Sequence, residues 1–167
     1  EIIGRERISQ EIKRIFLSKD PTISLELLNE TKIYKKLLGS FDKKKIKKLI
    51  YLEKQYGLSP DVGRRFLCLN IENADIITAK KEKTYFEILK TSMKDIINPK
   101  QLGYKLGFKK ALDCLIINAV RNDCFISEKE RKMIEEGSKE IFPLTYSDIK
   151  QKLRDQSTAR KKLEYLK

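Results

Sequence analysis

The residues whose types and spacing point to chemistry in this sequence are lysines and arginines, and they come in groups. Lys43, Lys44, Lys45, Lys47 and Lys48 form one group, Lys100, Lys105, Lys109 and Lys110 a second, and Arg154, Arg160, Lys161 and Lys162 a third. Long cationic side chains spread over a helical surface follow a phosphate backbone without reading bases. The first group opens a helix at its positive end, against the macrodipole, so those lysines serve something besides helix stability. Asp42, as the cap, offsets part of that cost. The whole chain agrees: Lys plus Arg is 37, Asp plus Glu is 24, and the net charge is +13. An excess of that sign implies an anionic partner, nucleic acid before an acidic membrane or protein.

Catalytic constellations are missing. The chain has no histidine, no Asp-x-Asp pair, no phosphate-cradling glycine loop and no nucleophile beside a base. Gly39 in Leu38-Gly39-Ser40 reads as a helix terminator, because only Asp42 and a lysine run follow. Cys68, Cys114 and Cys124 each sit among apolar neighbours and none belongs to a Cys-x-x-Cys pair. They predict buried thiols in a reducing cytoplasm and no metal site. Tyr34, Tyr51, Tyr56, Tyr85, Tyr104 and Tyr146 have rings that could stack on bases, but most lie beside leucine or isoleucine and read as the rim of a core.

The elements that must carry these residues are helices. Asp20-Pro21, Ser59-Pro60 and Asn98-Pro99 each place a capping side chain before a proline, and Ser127 with Glu130 makes a capping box. Gly39, Gly57 and Gly107 stand where helices should stop. The spacing predicts helices over 5–18, 21–30, 32–38, 43–56, 60–71, 82–96, 99–106, 108–122, 128–140, 146–153 and 156–166. No period-2 alternation argues for strands, and no apolar run approaches the length of a membrane span. The predicted fold is all-α, an elongated array of about ten short helices with no sheet, joined by short connections. In the first helix Ile8, Ile12, Ile15 and Phe16 form a stripe, flanked by an Arg7–Glu11 pair. Ile8, Ile12, Ile15, Leu27, Leu115, Ile116 and Val120 are the expected core.

Several of these stretches resemble, in order, one protein family. Glu6-Arg7-Ile8 followed by Glu11, then Asp20-Pro21 and a helix with Leu25, Leu27 and Leu28, resembles the neck of the bacterial tRNA nucleotidyltransferase and poly(A) polymerase family. Leu102-Gly103-Tyr104-Lys105-Leu106-Gly107 and the run Asp113 to Ala119 resemble its body helices. Phe142-Pro143-Leu144-Thr145 with Asp148-Ile149 resembles its tail, although Tyr146 stands where a glycine is usual and the glycines expected between Lys150 and Lys161 are missing.

The resemblance implies neck-like helices over 1–41, a body-like RNA-binding region over 42–126 and a tail over 127–167, with the catalytic head domain absent. It implies that Glu6, Arg7 and Glu11 support a nucleotide pocket made by head and neck. The family's metal-held carboxylates belong to the head, as do Mg²⁺ and ATP or CTP, so no cofactor is expected in this chain. Its nucleotide-selecting motifs, Arg-Arg-Asp and Glu-Asp-x-x-Arg, are also absent; Arg64-Arg65 is followed by Phe66.

The implied partners are tRNA or another structured RNA, and a head that is encoded separately or upstream in the same chain. The chain begins at Glu1, not Met, and shows no leader; it was processed or is a piece of a longer, cytoplasmic protein, and the resemblance implies the second. The alternative reading is a helical adaptor that binds an acidic protein through an exposed apolar groove.

Overall fold

A computed structural model of the chain describes residues 4–31, 35, 38–39, 41–71, 79–93 and 98–140. Among them there are eight helices and no strand: α1 (Arg5–Leu17), α2 (Thr22–Glu30), α3 (Lys43–Gln55), α4 (Val62–Cys68), α5 (Lys80–Ser92), α6 (Pro99–Leu106), α7 (Phe108–Arg121) and α8 (Glu128–Lys139). The all-α expectation holds, with eight described helices in place of about ten. The predicted helices over 146–153 and 156–166, and most of 32–38, lie outside the described residues.

Local chemistry explains most boundaries. The Asp42 carboxylate accepts from the backbone N–H groups of Lys44 and Lys45 at 2.9 and 3.2 Å and so starts α3. Asn98 caps α6 ahead of Pro99, and Ser127 and Glu130 complete their capping box at α8. Ser59 does not cap α4. Asp61 does so two residues later, accepting from the Arg64 N–H at 2.8 Å, and the helix is correspondingly shorter. Gly57 follows α3 at φ +62°, and the Leu58 N–H closes the end on the Glu53 carbonyl. Asn70 and Asp123 take the same left-handed position after α4 and α7.

α7 is the hub. It packs on α3, α4, α5, α6 and α8, and Ala111 to Ile117 are buried without a break. A helix buried over so much of its surface loses its amphipathic stripe. Phe66 of α4 meets Phe16 of α1 edge-to-face, with ring centroids 4.7 Å apart. α6 and α8 approach through glycines: a Cβ on Gly103 would lie 2.2 Å from the Ile134 carbonyl oxygen, and one on Gly137 would lie 1.9 Å from that of Lys100.

The core differs from expectation at two places. Ile12, Leu115, Ile116 and Val120 are buried and Ile15 packs at the edge, but Ile8 is 36% exposed and Leu27 58% exposed. On α1 the buried line runs Ser9, Ile12, Phe16, so the inward face is turned by about one residue from the isoleucine stripe. On α2 it runs Thr22, Leu25 and partly Leu28, which leaves Ile23 and Leu27 on the solvent side. Two thiols, Cys68 and Cys114, are buried as expected, whereas Cys124 is exposed.

Candidate nucleic-acid interface

The solvent face of α3 carries the first lysine group. Ile46, Leu49, Ile50, Leu52 and Glu53 point inward, so Lys44, Lys47 and Tyr51 share the outer face at intervals of three and four residues. Lys44, Lys45 and Lys47 make no ion pair among the described residues. Lys43 reaches back to Glu26 of α2, and Lys48 bonds Asp123 at 2.6 Å. The Lys48 ammonium also stands 5.5 Å from the centre of the Phe125 ring, within cation–π range. Lys48 and Lys44 both hold the Asp123 carboxyl below its usual range, the first through a hydrogen bond and charge, the second through charge.

The second lysine group does not stay together. Lys100 pairs with Glu140 beyond the end of α8, and Lys105 is exposed on α6. Lys109 and Lys110, at the start of α7, instead join Lys81 of α5 around a cleft of about 490 Å³. Leu17, Pro60 and Tyr85 line it too, with the carboxylates of Asp61 and Glu82. Asp61 is engaged as the α4 cap, and Glu82 accepts from Lys13 at 2.7 Å. Lys81 was not among the expected contacts, because an isolated Lys-Lys pair at a helix start gives no local signal. The third group, Arg154, Arg160, Lys161 and Lys162, lies outside the described residues.

Glu6, Arg7 and Glu11 are exposed on α1. Glu11 pairs with Arg14 at 3.3 Å rather than with Arg7, an exposed contact of small energetic weight. Tyr51 and Tyr104 are exposed rather than rim residues, while Tyr56 and Tyr85 are half-buried as expected. Tyr34 and Tyr146 are outside the described residues. Among the described residues no cluster of carboxylate, thiol or imidazole groups is placed to hold a metal ion, and no helix is long and apolar enough to cross a membrane.

Behind these faces lies a buried charge network that residue spacing does not reveal. Arg64 and Arg65 of α4 are both fully buried. Glu53 of α3 accepts from both: from Arg64 Nη2 at 2.8 Å and from Arg65 Nε at 3.2 Å. Arg64 Nη1 donates to Asp113 of α7 at 2.7 Å, and the Tyr85 hydroxyl donates to the other Asp113 oxygen. Arg65 Nη1 donates to the carbonyls of Phe16 and Ser18 at 2.8 and 2.7 Å, and so ties the C-terminal end of α1 to the body of the fold. Burial pushes the Asp113 carboxyl up, and the Arg64 charge takes back part of that rise. Burial also works against the Arg64 charge, but Asp113 and Glu53 outweigh it and raise its pKa further. Two cations and two carboxylates make the network neutral. Its role is to fix α1, α3, α4, α5 and α7 relative to one another, behind the exposed lysines.

The first 45 residues match a protein family described as "probable RNA and SrmB-binding site of polymerase A", over residues 1–45. The matched segment contains α1 and α2 and ends inside the first lysine group. It supports a poly(A) polymerase-type RNA-binding region, and RNA as a partner. No curated protein and no solved structure matches the chain.

Proposed function

We propose that this chain is the neck, body and tail of a CCA-adding tRNA nucleotidyltransferase or a poly(A) polymerase, gripping tRNA during processing of its 3′ end. The observation that carries this reading is the continuity between the matched segment and the α3 cations: the match runs to residue 45 and takes in Lys44 and Lys45, which with Lys47 just beyond it make no ion pair among the described residues. A-form RNA presents phosphates and 2′-hydroxyls to such a surface, so recognition is by shape and charge. Glu6, Arg7 and Glu11 on α1 then support the nucleotide pocket from the neck side. The transfer of CMP and AMP, or of AMP alone, belongs to a head with two metal-held carboxylates.

Two measurements test this reading. With tRNA lacking its 3′ end, Mg²⁺ and labelled ATP and CTP, the chain alone incorporates nothing. Metal-dependent incorporation lost on a substitution in this chain would reveal an active site here. In binding titrations, tRNA is held more tightly than a DNA duplex of equal charge. Equal affinity would remove shape recognition, and no affinity for either at low salt, in a folded sample, would favour an adaptor for an acidic protein.

A further inference from the structure

Phe125 is 89% exposed and Tyr51 is 63% exposed, on a surface whose other side chains are mostly charged. A solvent-facing phenylalanine contributes nothing to the core, and the backbone before it sets where it stands. α7 ends with Asp123 in the left-handed conformation at φ +50°, and the Cys124 N–H bonds the Ala119 carbonyl at 3.0 Å. That closure stops the helix and sends the next residues outward past α3. The Phe125 ring then sits under the Lys48 ammonium, and Tyr51 follows Lys48 by one turn on α3.

Charge decides what such a surface accepts. Lys44 and Lys47 precede Tyr51 by two turns and by one on the outer face of α3 and make no ion pair among the described residues. The neighbouring carboxylates are already engaged: Asp123 by Lys48, Glu128 by Arg131, and Glu130 by the Ser127 capping box. Aromatic faces beside cations that make no ion pair suit unpaired bases joined by phosphates, because each base offers a π-face and each phosphate a charge. A duplex cannot use the rings, since its bases are stacked on one another.

We propose that Phe125 and Tyr51, beside Lys44, Lys47 and Lys48 of α3, form a stacking platform for unpaired bases of single-stranded RNA. The proposal rests on the RNA reading above and adds a ligand class to it: a single-stranded segment held beside the structured RNA gripped by shape. Lys44 and Lys47 take the phosphates, and Lys48 holds the Phe125 ring in place through its contact and its bond to Asp123.

The test uses the full chain, a single-stranded oligoadenylate and an RNA hairpin of equal phosphate number whose loop is a base-free linker. Phe125→Ala and Tyr51→Ala each weaken oligoadenylate binding about tenfold or more. Hairpin binding changes less than about twofold and the helical circular dichroism is unaltered. Phe125→Trp retains oligoadenylate binding. The exposed Cys124 thiol, one residue before Phe125, is shielded from a thiol reagent by oligoadenylate and not by the hairpin. Equal loss on both RNAs, no loss on either, or an unshielded Cys124 overturns the platform while leaving the RNA reading intact. A wild-type chain that binds neither RNA overturns both. Self-association of the wild type that disappears in Phe125→Ala, with oligoadenylate affinity unchanged, assigns the ring to a contact between copies and also overturns it.

Discussion

Glu53 holds two arginines at once, and neither can leave without stranding a charge. Glu53→Ala therefore removes the partner of Arg64 and Arg65 together and costs about 3–5 kcal/mol, read as a drop in the denaturant midpoint. A loss below about 1 kcal/mol would mean that water reaches the arginines. The three thiols give a second reading at this scale. Burial pushes the Cys68 thiol well above its ordinary range and that of Cys114 up to about 12, while Cys124 is exposed. A thiol reagent at neutral pH labels Cys124 in the native protein and the other two only on unfolding; three fast thiols would contradict the packing of α4 and α7. Little of the network was legible in the sequence. Arg64-Arg65 is plain to see, but its partners lie 11, 12 and 49 residues away, and nothing local says that two adjacent arginines both turn inward. The one available sign was that Glu53 and Asp113 fall on otherwise apolar helix faces. Phe125 escaped for the opposite reason, since composition cannot show that an apolar residue faces solvent.

Helices were the most legible level, because their ends are written in local chemistry. Asp42, Asn98, Ser127 and Gly57 act where the sequence places them, and α3, α6, α7 and α8 follow within a residue or two. α4 was overextended at both ends: Asp61 starts it late, and Asn70 stops it in a conformation that glycine usually takes. Helix faces were less legible than helix ends. On α1 and α2 the apolar residues outnumber the inward positions, so which of them are buried depends on neighbours far along the chain. The consequence is measurable. Ile12→Ala costs about 2–5 kcal/mol, because the side chain is 6% exposed and its loss leaves a cavity. Leu27→Ala, at 58% exposure, stays within about 0.5 kcal/mol. Equal losses at the two sites would show that α2 is turned the other way.

At the scale of the whole molecule, a neutral, cross-linked interior stands behind a surface with a large positive excess. The net charge of +13 gave the sign of the partner without its site. The structure sorts the cations instead: Lys43, Lys48 and Lys100 are held by carboxylates, whereas Lys44, Lys45, Lys47, Lys81, Lys109 and Lys110 make no ion pair among the described residues. The grouping of Lys109 and Lys110 with Lys81 could not be read from spacing, because it forms only when α5 packs on α7. The central claim is that free lysines on α3 hold RNA phosphates, and salt reports on it most directly. For about five phosphate contacts, log K against log salt for tRNA falls with a slope of about −4. Changing Lys44, Lys45 and Lys47 to Gln weakens binding to all structured RNAs alike and brings the slope toward about −2, if each lysine holds one phosphate. An unchanged slope and affinity in that variant, in a folded sample, would contradict the account.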